Sequence, residues 1–163
     1  KHEAGGHGFG KLCDEYIYYD QEIPKNVVST LQQWTSFGHN ANIDFTNDPE
    51  KIKWRHFYAL DGYSRIVNAF EGGYMFSKGI WRPETNSCMN NNVPYYNAPS
   101  RQKIVERIME LSGKEFDFDA FLAEDEKVLS TVNSIKAPAF APLKEMPHFA
   151  APVLIEGSPF DAK

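Results

Sequence analysis

The stretch "HEAGGHGFGKLCDEY", His2 to Tyr16, limits the fold more than any other part of the chain. His2 and His7 lie five residues apart, with Gly5 and Gly6 between them. Two imidazoles share one face of an α-helix when they are four apart, which returns the second to within about 40° of the first. Five residues overshoot to about 140°, and the rings diverge. A regular helix therefore cannot bring this pair together. One widened π turn absorbs the extra residue and restores the common face, and such turns are frequent at functional sites. Gly5 and Gly6 stand where the residue must be absorbed. Each costs roughly 1 kcal/mol in a regular helix interior, yet each permits a distorted backbone and close packing. Residues 1–13 are thus predicted to form the tail of a distorted helix. A helix that began at Lys1 would fray, so the chain reads as the C-terminal part of a larger protein.

The residue types in this stretch suit a metal. A catalytic zinc takes about three protein ligands and keeps one position open, and a nearby carboxylate takes a proton from water. His2 and His7 are the candidate ligands and Glu3 the candidate base. Gly10 can end the helix and swing the chain back, so that Asp14 or Glu15 supplies an oxygen ligand. The rest of the composition suits one folded domain. The 163 residues are 42% hydrophobic, 24% charged and 14% aromatic, enough to build a core and too apolar for disorder. A net charge of −5 leaves no basic footprint for nucleic acid. No apolar run approaches the ~18 residues of a membrane span.

Periodicity organises the chain beyond this motif. Asp14 to Asp20 reads as a loop. "IPKNVVSTLQQWTSFG" reads as a helix, with Val27, Val28, Leu31 and Trp34 at helical spacing and Gly38 as the stop. "RHFYAL" and "RIVNAF" are short strands or single turns. "EGGYMFSKGIWRP" suits a hairpin, and "TNSCMNNNVPYYNAPS" an irregular loop. "APSRQKIVERIMELSG" is the clearest helix, its apolar face made by Ile104, Val105, Ile108 and Leu111. "FDFDAFLAEDEKVLSTVNSI" is a further helix. Prolines punctuate residues 136–163, which read as an extended tail or linker after a unit spanning residues 1–135.

The opening motif, with "NIDFTNDPEKIKWRHF", "FEGGYMFSKGIWRPETNSCM" and "NAPSRQKIVERIM", resembles the IgA-peptidase-type zinc metallopeptidases of gut Bacteroidetes across roughly residues 1–112. The resemblance implies a metzincin-like zinc endopeptidase of secreted, periplasmic or cell-surface location, acting on protein or glycoprotein. It implies Zn2+ held by His2, His7 and Asp14, with Glu3 as general base and Met89 in a Met-turn beneath the metal. It also implies an α+β fold whose sheet lies mostly upstream, leaving an apolar face exposed. The family's common pattern has one residue fewer between Glu3 and His7. Tyr95, Tyr96, Arg82 and His56 are candidate oxyanion or substrate contacts. Cys13 precedes Asp14 and Cys88 precedes Met89, so a disulfide could tie the two loops; two free buried thiols are the alternative. His39 and His148 read as ordinary surface or packing residues. Two other functions stay open. One is a catalytically inactive binding module for host or dietary glycoprotein, which would be expected to lose Glu3 first. The other is a non-haem iron enzyme using the same two histidines and one carboxylate.

Overall fold

The computed structural model describes residues 1–132, and the side chains up to Asp125. The Pro-rich segment 136–163 lies outside the described residues. The described part is a small α+β fold with a three-stranded sheet in the order β1-β3-β2. β1 (Ile17–Glu22) runs parallel to β3 (Met75–Arg82), and β2 (Phe70–Gly73) runs antiparallel to β3. The helices are a π-helix at His2–Phe9, α1 (Lys25–Ser36), the short α2 (Cys88–Asn91), α3 (Ala98–Leu111) and α4 (Phe118–Val132). None is long and apolar enough to cross a membrane.

The extra residue between the histidines is absorbed along the whole first helix. His2–Phe9 is π-helical throughout rather than an α-helix with one widened turn. Gly10 does not turn the chain: it stays right-handed (φ −74°, ψ −13°), and the reversal falls on Lys11 (φ 52°). Gly10 serves close packing instead. A Cβ there would sit 3.1 Å from the carbonyl oxygens of Gly5 and Gly6.

The segment after Asp14 is a strand, not a loop. All six residues of β1 are exposed, so neither face imprints the alternation that marks a half-buried strand. The β2–β3 hairpin forms as expected. Its tip places Tyr74 and Met75 at φ 42° and 71°, an uncommon conformation for residues other than glycine. Their amides donate to the Asp14 and Tyr16 carbonyls at 3.0 and 2.8 Å. The hairpin tip therefore grips the acidic turn from behind.

Two apolar clusters hold the fold. Cys13, Ile23, Leu31, Ile43 and Ile80 pack where α1 crosses the sheet, with Val27 and Val28 against them. Ile52, Trp54, Phe57, Tyr63, Val67, Ala98 and Phe121 form the second, joined by Val105 of α3 and Phe118 and Leu122 of α4. "RHFYAL" and "RIVNAF" contribute single 3-10 turns at Arg55–Phe57 and Tyr63–Arg65. Arg101 of α3 grips Asp125 of α4 through two bonds of 2.6 Å, and Tyr63 donates to the same carboxylate at 2.7 Å. Such bidentate pairing is among the stronger side-chain contacts. Only part of the expected apolar faces is covered. Trp34 and Phe37 at the end of α1, and Ile108 and Leu111 on α3, stand exposed.

Candidate metal centre

The π-helix places both imidazoles on one side, their ring centroids 4.9 Å apart. Each ring is oriented by a main-chain carbonyl. Nδ1 of His2 lies 2.8 Å from the Cys88 oxygen, and Nδ1 of His7 lies 2.8 Å from the Leu12 oxygen. A carbonyl only accepts, so each Nδ1 carries a proton. In a neutral ring this leaves Nε2 with its lone pair. Both Nε2 atoms face Asp14 Oδ1, at 2.9 and 3.0 Å. One ligand atom from each of the three residues lies within 4.8 Å of the others.

Three lone-pair donors turned toward one point repel each other unless positive charge lies between them. Protons on Nε2 can supply it, and so can a metal ion. Without a metal, His7 is pushed up to about 8, chiefly by its hydrogen bond to Asp14 and against the effect of burial. For Asp14, burial acts upward, but hydrogen bonding and charge from His7 outweigh it and hold the carboxyl below its usual range. Two imidazoles and one carboxylate oxygen fit zinc or non-haem iron by donor type. His2, His7 and Asp14 are the residues that could hold the ion.

Glu15, the alternative oxygen donor, points elsewhere and is fully buried. It accepts from Ser87 Oγ at 2.5 Å and from the side-chain amides of Asn42 and Asn97 at 2.6 Å each. Burial pushes its carboxyl up against these bonds. Ser87 also caps α2 by accepting from the Met89 amide, and Asn97 caps α3 by accepting from the Ser100 amide. One buried carboxylate thus joins the ligand turn to the starts of two helices. The Glu15 amide adds a 2.8 Å bond to the Met89 carbonyl.

Met89 is fully buried beneath the π-helix. A Cβ on Gly6 would fall 2.3 Å from its sulfur, and one on Gly5 would fall 2.7 Å from the Tyr96 hydroxyl. The glycine pair therefore serves approach as well as backbone distortion. Glu3 is exposed on the same helix, near enough for its charge to act on His7 and Tyr16.

The four candidate oxyanion contacts separate. Tyr96 donates to the Lys1 carbonyl at 2.8 Å and lies beside the π-helix. Tyr95 is buried and donates to Glu84 at 2.6 Å. Arg82 donates to the carbonyls of Glu71 and Gly72. His56 pairs with Gln102 at 2.7 Å against the aromatic cluster around Phe57 and Phe118. These last three make their contacts away from the histidines. The cysteines are not bridged. Both are buried free thiols, Cys13 facing the Ile43–Ile80 core and Cys88 leading into α2 under the helix.

The structure adds Tyr16, which the sequence suggests as packing, and Asn42, Ser87 and Asn97 to the site. Tyr16 stacks on His2 at 6.3 Å and faces the Asp14 carboxylate. Its place directly after Asp14-Glu15 was the available signal. The two asparagines and the serine sit in segments that read as loops, where polar residues attract no notice. No protein-family model matches the chain, and no curated protein matches it.

Proposed function

We propose that the protein is a zinc-dependent endopeptidase whose metal is held by His2, His7 and Asp14. The observation that carries this reading is the convergence of two carbonyl-anchored imidazoles on one Asp14 oxygen, beside an exposed glutamate. The sequence resemblance to IgA-peptidase-type enzymes adds the metzincin-like assignment, the protein or glycoprotein substrate and a secreted or surface location. The packing of buried Met89 under Gly6 supports the Met-turn role that the resemblance implies for it.

Zinc here would supply Lewis acidity, polarising the scissile carbonyl and making water a nucleophile near neutral pH. The chain's own residues do the rest. The Cys88 and Leu12 carbonyls hold the rings in one tautomer. Glu3 accepts the proton from the attacking water and returns it to the departing amine. Of the candidate oxyanion donors, Tyr96 lies beside the helix, and it would have to release its bond to the Lys1 carbonyl to steady the negative oxygen of the tetrahedral species.

Hydrolysis of casein tests the proposal. Wild-type protein is expected to cleave it, to stop with a chelator and to recover with zinc. Glu3→Gln should lower the rate by about 10²–10⁴-fold. Undiminished cleavage by Glu3→Gln, or none by zinc-loaded wild type, would overturn it. In the second outcome the inactive binding-module reading takes the lead.

A further inference from the structure

We propose that Tyr16 is a positioning residue of the metal centre: its ring braces His2 and its hydroxyl holds the Asp14 carboxylate, so that Asp14 offers the ion a single oxygen. The inference rests on the metal-centre reading and deepens it, because it names the residue that keeps a coordination position open.

Alternation along the chain puts Tyr16 there. The Asp14 and Tyr16 carbonyls both accept from the hairpin tip, at 3.0 and 2.8 Å, whereas the Glu15 amide between them donates to the Met89 carbonyl at 2.8 Å. Successive residues therefore face opposite ways, as along a strand. The Glu15 side chain goes inward to Ser87, Asn42 and Asn97. Asp14 and Tyr16, two apart, come out together on the side of the histidines.

Two contacts follow. The Tyr16 ring lies 6.3 Å from the His2 ring between centroids, at an interplanar angle of 21°, and Tyr18 packs on it at 4.8 Å. The Tyr16 hydroxyl faces the Asp14 carboxylate, near enough to hydrogen-bond with it. One half-buried side chain thus touches a ligand from the π-helix and a ligand from the turn that follows it.

The consequence lies in the carboxylate. Both imidazole Nε2 atoms face the same oxygen, Asp14 Oδ1. A carboxylate left to itself has a second oxygen to give, and a second bond to zinc would fill the position that a catalytic site keeps for water. A phenol donating to the carboxylate competes for that oxygen. Outer hydrogen-bond partners of this kind orient ligands, and their loss costs about 10–100-fold in metal affinity.

Zinc affinity of the full-length protein, read by competition with a fluorescent chelator, tests this. The visible spectrum of the cobalt-substituted protein, which reports coordination number, is read beside it. Tyr16→Phe keeps the ring and removes the hydroxyl. It should bind zinc about tenfold more weakly, shift the cobalt bands and, free of metal, melt with the wild type. Tyr16→Leu, which also removes the ring beside His2, should bind more weakly still. Tyr18→Phe should match the wild type in both readouts. Unchanged zinc affinity or an unchanged cobalt spectrum in Tyr16→Phe would overturn the inference and leave the metal centre standing. Weaker binding accompanied by a lower melting temperature of the metal-free variant would assign the hydroxyl to the fold and also overturn it. A wild type that binds no zinc would overturn the metal centre itself, and this inference with it.

Discussion

Gly6 and Gly8 differ by two positions in one helix, yet they answer to different constraints. A Cβ on Gly6 would overlap the fully buried Met89 sulfur at 2.3 Å, while one on Gly8 would meet only the Glu3 carbonyl at an ordinary 3.5 Å. Gly6→Ala should therefore lower stability by about 3 kcal/mol through overpacking and weaken metal binding. Gly8→Ala should be neutral or stabilising by about 0.5–1 kcal/mol. Urea unfolding of both variants checks the pair; equal effects would mean that Met89 does not set the floor of the site. At this scale the sequence was legible where spacing is geometric. The five-residue gap demanded a π turn, and the helix is π. It was not legible at Asp14 and Glu15, two adjacent acids that spacing alone leaves equal. The left-handed Lys11 and the hairpin tip decide between them. They turn Asp14 to the histidines and Glu15 to Ser87, Asn42 and Asn97.

Elements with an apolar stripe at regular spacing were legible, whether or not that stripe is covered, and those without one were not. α1, α3 and the β2–β3 hairpin follow apolar periodicity and turn chemistry. β1 has no buried face, and α2 is a single turn started by Ser87 within an asparagine-rich stretch. Neither carries a pattern long enough to read. Yet α2 and β1 border the site, and Glu15 is the bond between the ligand turn, α2 and α3. Glu15→Ala would strip a partner from the Ser87 hydroxyl and both asparagine amides while leaving a cavity. The expected cost is about 3–5 kcal/mol. Thermal unfolding checks the size; a loss below about 1 kcal/mol would show that the network does not join these elements.

Across the described residues, two apolar clusters are combined with a buried polar strut between the helices. Glu84 belongs to that strut, accepting from the Tyr95 hydroxyl at 2.6 Å and the Ala98 amide at 2.8 Å. Burial nonetheless raises its carboxyl from 4.5 to about 7. A carboxyl raised in the folded state binds its proton more tightly there than in the unfolded chain. Its stabilising contribution is full below pH 4.5 and declines as pH rises through about 7. The decline should approach about 3 kcal/mol, and Glu84→Gln should flatten it. Melting temperatures of zinc-loaded wild type and variant across that window test this; parallel curves would contradict it. Apolar Trp34 and Phe37 at the end of α1 and Ile108 and Leu111 on α3 remain exposed; periodicity marked Trp34, Ile108 and Leu111 as parts of two apolar helix faces without saying what covers them. Site, mechanism and fold all meet at the metal, and elemental analysis of the full-length protein purified with zinc present decides whether it is there. About one zinc per chain, retained in Glu3→Gln and lost in His7→Ala, is the predicted result. Wild-type protein without bound zinc would mean that the converging His2, His7 and Asp14 are held together by protons alone, and would contradict the account.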